Sequence, residues 1–247
     1  MANHLRGDQP RSVAVTGLAG SSESFLLHAL ASEFNNPVLV VARHSDEAAD
    51  LYEDLLTLMP EKKLGYYPSR QILPYDFRAP VGEIMGQRLS TLSGLLDGDK
   101  SVIICSVRAL MEPTITVRQL RESRVDIRVG AEIDLDDLTA RLVHLGFRRV
   151  PLVEEVGDFA RRGGLIDLFT PGHEHPLRVE LFGDDVETIR TFEVGTQRTI
   201  GQLRHVSILP KREIPITPET LERELERLPE TDADYIRHRS LNDPALP

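Results

Sequence analysis

Residues 17–24, Gly-Leu-Ala-Gly-Ser-Ser-Glu-Ser, follow a short β-branched run and precede helix-spaced apolar residues. A phosphate-binding loop of the form G-x-x-x-x-G-K-[ST] sits in that setting, between a strand and a helix. Such a loop points backbone N–H groups at the phosphates, and its Lys neutralises the outer ones. Gly17 stands at the first glycine position and Ser24 at the hydroxyl position, with Gly20 between them. Ser22 replaces the second glycine and Glu23 replaces the lysine. The carboxylate of Glu23 repels the anion that a lysine would attract, and the Cβ of Ser22 narrows the backbone conformations available. Glu23 in a first helical turn is what the helix dipole favours when no anion is bound. Two readings remain open. Gly17 and Gly20 make a tight strand-to-helix turn and nothing more, or the loop keeps weak nucleotide binding without hydrolysis. The expectation is a non-functional loop, with no catalytic residue and no cofactor.

Other constellations carry less chemistry. His173, Glu174 and His175 alternate as metal ligands could, but no third ligand lies near in sequence and the segment follows the Pro171-Gly172 turn; surface histidines and no metal are expected. Cys105 lies in an apolar run and reads as a small packed hydrophobe. The acidic residues 134–137 precede a helix, where carboxylates complement the dipole. Residues 221–228, LERELERL, place Glu and Arg for ion pairs along a solvated helix face.

The elements that would position these residues fall into two textures. Residues 12–16 read as a strand, 21–34 as a helix, 37–42 as a strand buried on both faces, 45–59 as a helix with Ser45 at its N-cap, 81–96 as a helix and 101–107 as another buried strand. The Tyr- and Pro-rich stretch between residues 59 and 81 reads as irregular. Strands alternating with helices imply a parallel sheet with right-handed crossovers. From about residue 122 one amphipathic helix, residues 135–145, is followed by short β segments at 163–169, 177–182 and 188–194. Turn signals separate them, so this half is of α+β character with antiparallel strands. The organisation expected is α/β: residues 1–121 as a parallel-sheet domain, 122–213 as a smaller α+β antiparallel-sheet domain, and 214–247 as a charged helix and tail.

Composition narrows the function classes. The chain has 247 residues and a net charge of −10, which argues against attraction to nucleic acid over the whole surface. Trp is absent and aromatics are 5%, leaving few platforms for base stacking. No run of about 18 apolar residues is present, so no membrane span is expected. Residues 1–11 have no apolar core of the kind a secretory signal needs, and Cys105 is the single cysteine, so a cytoplasmic setting is expected. These features point to a protein that binds another protein.

Several segments in order resemble one family. They are Tyr66-Tyr67-Pro68, Leu73-Pro74-Tyr75-Asp76, Gln87-Arg88-Leu89-Ser90-Thr91-Leu92, Arg161-Arg162-Gly163-Gly164-Leu165-Ile166-Asp167-Leu168-Phe169, Arg178-Val179-Glu180-Leu181-Phe182-Gly183-Asp184-Asp185, Ile189-Arg190-Thr191-Phe192 and Gln197-Arg198-Thr199. Over roughly residues 12–215 the chain resembles the N-terminal region of the bacterial transcription-repair coupling factors (Mfd), which is similar to the excision-repair helicase UvrB. An active UvrB would have Lys at position 23 and a long aromatic hairpin in the 65–85 region, whereas residues 66–80 are too few and too Pro-rich for one. The resemblance is therefore to the coupling factors, whose loop is degenerate.

The resemblance implies a degenerate P-loop (RecA-like) first domain, with the 214–247 segment beginning a further part of it. It also implies a second domain that binds UvrA, recruiting it to stalled RNA polymerase, through Arg162, Arg178 and Phe182. RNA polymerase and DNA would be reached through the remainder of a longer protein. From the residues themselves, Arg178 and Phe182 share a strand face, and an arginine pair beside an aromatic has the composition of an interface hot spot. Glu180 would share that face and give Arg178 a local partner. Composition alone also allows Phe182 to fill the core with both arginines solvated. Two other functions stay open: an ATP-dependent, DNA-damage-binding protein of the UvrB type, and a region that masks its own binding face.

Overall fold

The computed structural model describes residues 12–34, 36–70 and 82–213, together with residues 226 and 230. In the first half, β3 (Val102–Ser106) is the centre of a parallel three-stranded sheet, flanked by β1 (Val38–Ala42) and β2 (Leu64–Tyr67). All five residues of β3 are buried, as a continuous apolar run between two covered faces should be. On one face α2 (Ser45–Leu56) lays Ala48 and Leu55 against Val40, Leu64, Val102 and Ile104. Leu27 and Ala31 of α1 (Ser22–Glu33) join the same cluster. On the other face Leu92 of α3 (Gly82–Leu96) meets Tyr67, Ile103 and Cys105. Two short helices, α4 (Val107–Met111) and α5 (Val117–Ser123), follow, the latter opened by a reciprocal capping box between Thr116 and Gln119.

Four expectations change here. Residues 12–16 are exposed and pair with no strand; β-branched composition makes no strand without a ladder partner. β1 buries only Val40 and Ala42, while Leu39 and Val41 stay open, because α3 packs over β2 and β3 on that face and not over β1. The stretch read as irregular contains β2, whose hydrogen-bond partners come from β3. Ser45 is the first helical residue of α2, with His44 at its N-cap. Residues 73–76 and, apart from Glu226, 221–228 lie outside the described residues.

The second half is a six-stranded sheet in the order β10-β9-β8-β7-β6-β5, antiparallel except between β5 and β6. Its strands are β5 (Arg148–Arg149), β6 (Asp158–Arg162), β7 (Leu165–Leu168), β8 (Leu177–Phe182), β9 (Asp185–Phe192) and β10 (Thr199–Leu203). The inner face, carrying Phe159, Ile166, Val179 and Ile189, packs on α6 (Leu135–His144) and on the antiparallel pair of β4 (Val125–Arg128) with β11 (His205–Ile208). Asp134 caps α6 by accepting the N–H groups of Asp136 and Asp137 at 2.7 and 3.0 Å, and Leu138 and Leu142, four apart, face the core.

The halves meet across α3. A Cβ on Gly86 would lie 2.8 Å from the backbone nitrogen of Gly172, so only glycine lets this helix touch the 171–172 turn. Beside it sits a buried polar network. The side chain of Arg88 is 0% exposed. It donates from Nε to Glu213 Oε2 at 2.8 Å, from Nη2 to Glu213 Oε1 at 3.1 Å, and from Nη1 to the carbonyl of Pro68 and to Glu112. Its guanidinium also lies 3.9 Å from the Tyr67 ring centroid. Arg70, Thr114 and Tyr67 complete the shell around Glu213. Burial pushes the Glu213 carboxyl up, but hydrogen bonds from Arg88 and Thr114, the charge of Arg88 and a hydrogen bond from Arg70 outweigh it, taking it from 4.5 to about 2.

Because the folded value is depressed, the ionised Glu213 contributes its full stability above pH 4.5, and that contribution is lost as pH falls towards 2. Glu213→Ala, which leaves Arg88 buried without its main partner, is expected to cost about 3–5 kcal/mol in urea unfolding at neutral pH. Glu213→Gln should flatten the acid limb of the stability curve between pH 4.5 and about 2; an unchanged limb would contradict this account.

Candidate functional site

The loop at residues 17–24 is occupied by its own side chains. Ser22 Oγ accepts the Ala19 N–H at 2.8 Å, and the Ser22 N–H returns to the Ala19 carbonyl at 3.3 Å. The Ala19 amide is thereby committed within the loop. Ser24 is 1% exposed and donates to Asp54 Oδ2 of α2 at 3.1 Å, so the hydroxyl points into the protein. Glu23 lies exposed in the first turn of α1. Gly17 and Gly20 both take left-handed backbone, as a tight turn into a helix requires.

The outer face of the six-stranded sheet gathers the other predicted residues. Opposed residues of paired strands share a face. Register therefore defines one row of Ala160, Asp167, Arg178, Arg190 and Gln202, and a second of Arg162, Leu165, Glu180 and Thr188. Phe182 stands one alternation beyond Glu180, at the end of β8. Arg162, Arg178 and Phe182 thus lie on one face. The glycines at 163 and 183 take positive φ in two neighbouring two-residue hairpin turns, setting Arg162 and Phe182 at the same end of the sheet.

The three side chains differ in freedom. Phe182 is 80% exposed, which removes the reading that it fills the core. Arg162 is exposed and donates from Nη2 to the Pro151 carbonyl at 2.7 Å. Arg178 is not a solvated arginine: its side chain is 18% exposed. Its Nε and Nη2 bind the two oxygens of the buried Asp167 at 2.7 and 2.9 Å, and its guanidinium lies 4.6 Å from the centroid of the buried Phe192 ring. Glu180 does not partner Arg178 by hydrogen bond as expected; it accepts from Thr188 at 3.0 Å and from Arg190. Asp167 and Phe192 both occur in the motifs quoted above, yet alternation along one strand cannot tell which residue on the neighbouring strand will oppose Arg178. An open cavity of about 470 Å³ beside Arg162 is lined by Arg149, Val150, Pro151, Ala160 and Arg161.

The sequence profile of the UvrB interaction domain matches residues 125–214. A transcription-repair-coupling factor of Bacillus subtilis (strain 168) is 32% identical over 214 residues, covering 87% of this chain and 18% of that protein. One from Myxococcus xanthus is 34% identical over 228 residues, covering 89% and 19%. One from Staphylococcus aureus (strain bovine RF122 / ET3-1) is 31% identical over 207 residues, covering 84% and 18%. Over most of its length, this chain is similar to transcription-repair-coupling factors, and residues 125–214 match the UvrB interaction domain. The chain spans about a fifth of the length of these relatives. The matched domain begins with β4 and contains the whole outer face.

The remaining constellations lie apart from the outer face. Cys105 is buried and its thiol contacts the Val40 carbonyl at 3.5 Å; burial pushes it up. His175 keeps 41% of its side chain exposed, as expected of a surface histidine, whereas His173 is half-buried and its burial pushes it down. Among the described residues no group of three His, Cys, Asp or Glu is placed to hold a metal, and no helix is long and apolar enough to cross a membrane.

Ser24→Ala is expected to lower stability by about 1 kcal/mol through the lost contact with Asp54. Isothermal titration should find no ATP binding that depends on Ser24. A measurable affinity that disappears in this variant would establish the loop as a working site.

Proposed function

We propose that this chain is a non-catalytic adaptor region of a transcription-coupled repair factor that recruits UvrA through the outer face of its antiparallel sheet. The observation that carries the reading is the convergence of Arg162, Arg178 and an exposed Phe182 on one face of the matched UvrB interaction domain. A large ring left in water at a hairpin end, flanked by guanidinium groups, has the make-up of an interface hot spot. The partner chemistry that fits is an apolar pocket bordered by carboxylates.

On this reading residues 1–121 are a degenerate P-loop, RecA-like scaffold, residues 122–213 the binding domain, and 214–247 the start of a further part of the first domain. The loop's internal hydrogen bonds and the inward turn of Ser24 favour this over an ATP-dependent enzyme of the UvrB type. RNA polymerase and DNA are reached through other parts of the longer factor, in the cytoplasm and without a cofactor held here.

UvrA binding to wild type, Arg178→Glu and Phe182→Ala tests the proposal. Reversing the charge at Arg178 should cost about 2–5 kcal/mol of binding. Removing the Phe182 ring should cost on the order of 2 kcal/mol with little change in folding stability, since the ring is exposed. Undiminished binding by both variants would remove the assignment of this face.

A further inference from the structure

We infer that Asp167 is a positioning residue for the partner face, holding the Arg178 guanidinium so that only its Nη1 edge is offered outward. The inference rests on the proposal that this face binds UvrA.

Register places Arg178 directly opposite Arg190, and like charges in directly opposed positions repel. The structure separates them by giving each its own carboxylate on a different strand. Asp167 on β7 takes Arg178, and Glu180 on β8 takes Arg190. Asp167 is 2% exposed and binds the fork through both oxygens, which fixes the plane of the guanidinium as well as its position. The Phe192 ring supports one side of that plane, and Gln197 Oε1 approaches Nη2 at 3.5 Å. Among the described residues Nη1 has no hydrogen-bond partner, so its two N–H groups remain for an acceptor outside the chain. The carboxylate also holds Arg178 above the usual arginine range, chiefly through the hydrogen bond, so the charge at this edge is permanent.

Without the Asp167 charge, the carboxylate that still acts on Arg178 is Glu180, two residues along β8 and already taken by Arg190. The guanidinium would turn towards it and away from the partner-facing pose. A pre-organised fork binds more tightly than one that must first leave a competing site. Lysine cannot substitute, because its compact ammonium would sit on Asp167 with no second edge to present.

Calorimetric titration of UvrA into the full chain tests this with wild type, Asp167→Asn, Arg178→Ala, the double variant and Arg178→Lys. Asp167→Asn and Arg178→Ala are each expected to weaken binding by roughly tenfold or more. The double variant should bind no more weakly than Arg178→Ala, because Asp167 acts through Arg178. Arg178→Lys should lose nearly as much as Arg178→Ala. Wild-type affinity in Asp167→Asn, or losses that multiply in the double variant, would overturn the inference while leaving the partner face intact. Wild-type affinity in Arg178→Lys would do the same, and it decides the matter should Asp167→Asn fail to fold. Wild-type affinity in Arg178→Ala would remove the assignment of Arg178 to the face and the inference together.

Discussion

A guanidinium buried to complete exclusion from water holds this chain's two halves in one arrangement. Taking Arg88 and Glu213 out of water is costly, and the pair persists because the surrounding lone pairs and protons are satisfied by Tyr67, Pro68, Glu112, Thr114 and Arg70. Its members come from α3, from the end of β2 and the residues after it, from the segment after α4, and from the point where the chain leaves the antiparallel half. No apolar substitute could join four separate stretches with such directional demands, since hydrogen bonds specify geometry and hydrophobic contact does not. The Gly86 contact then brings the 171–172 turn against the same helix.

Much of the fold was legible in the sequence, and the failures share a cause. Continuous apolar runs and 3.6-residue periodicity located β3 and the helices α1, α2, α3 and α6, because these elements bury faces that their own residues define. Residues 12–16 and β1 misled, since composition reports what a segment can bury and not whether a neighbour is present to bury it. β2 was hidden because Leu64–Tyr67 carries a glycine and two tyrosines, and its strand character comes from pairing with β3. The outer face was half legible. Alternation put Arg178, Glu180 and Phe182 together, but the salt-bridge partners depend on cross-strand register, which one strand does not encode. Arg88 was visible only as part of a motif; its burial follows from Glu213, 125 residues away.

The two regions with chemical potential resolve in opposite directions for related electrostatic reasons. At residues 17–24 Ser22 accepts a loop amide, Ser24 turns inward onto Asp54, and the Glu23 carboxylate is exposed. On the antiparallel sheet, Arg178 and Arg190 are sorted into separate ion pairs beside an uncovered ring. The first arrangement suits a scaffold. The second holds its arginines in fixed ion pairs.

The antiparallel half is fastened to the rest at both ends. Where the chain enters, Arg124 reaches Asp97 at 2.7 Å from the base of β4; where it exits, Glu213 is locked by Arg88. A module on one linker swings freely, while one clamped at entry and exit behaves as a lever with a fixed fulcrum. Both fastenings converge on α3 and the residue that follows it, so the antiparallel half is tied to the parallel half through one helix.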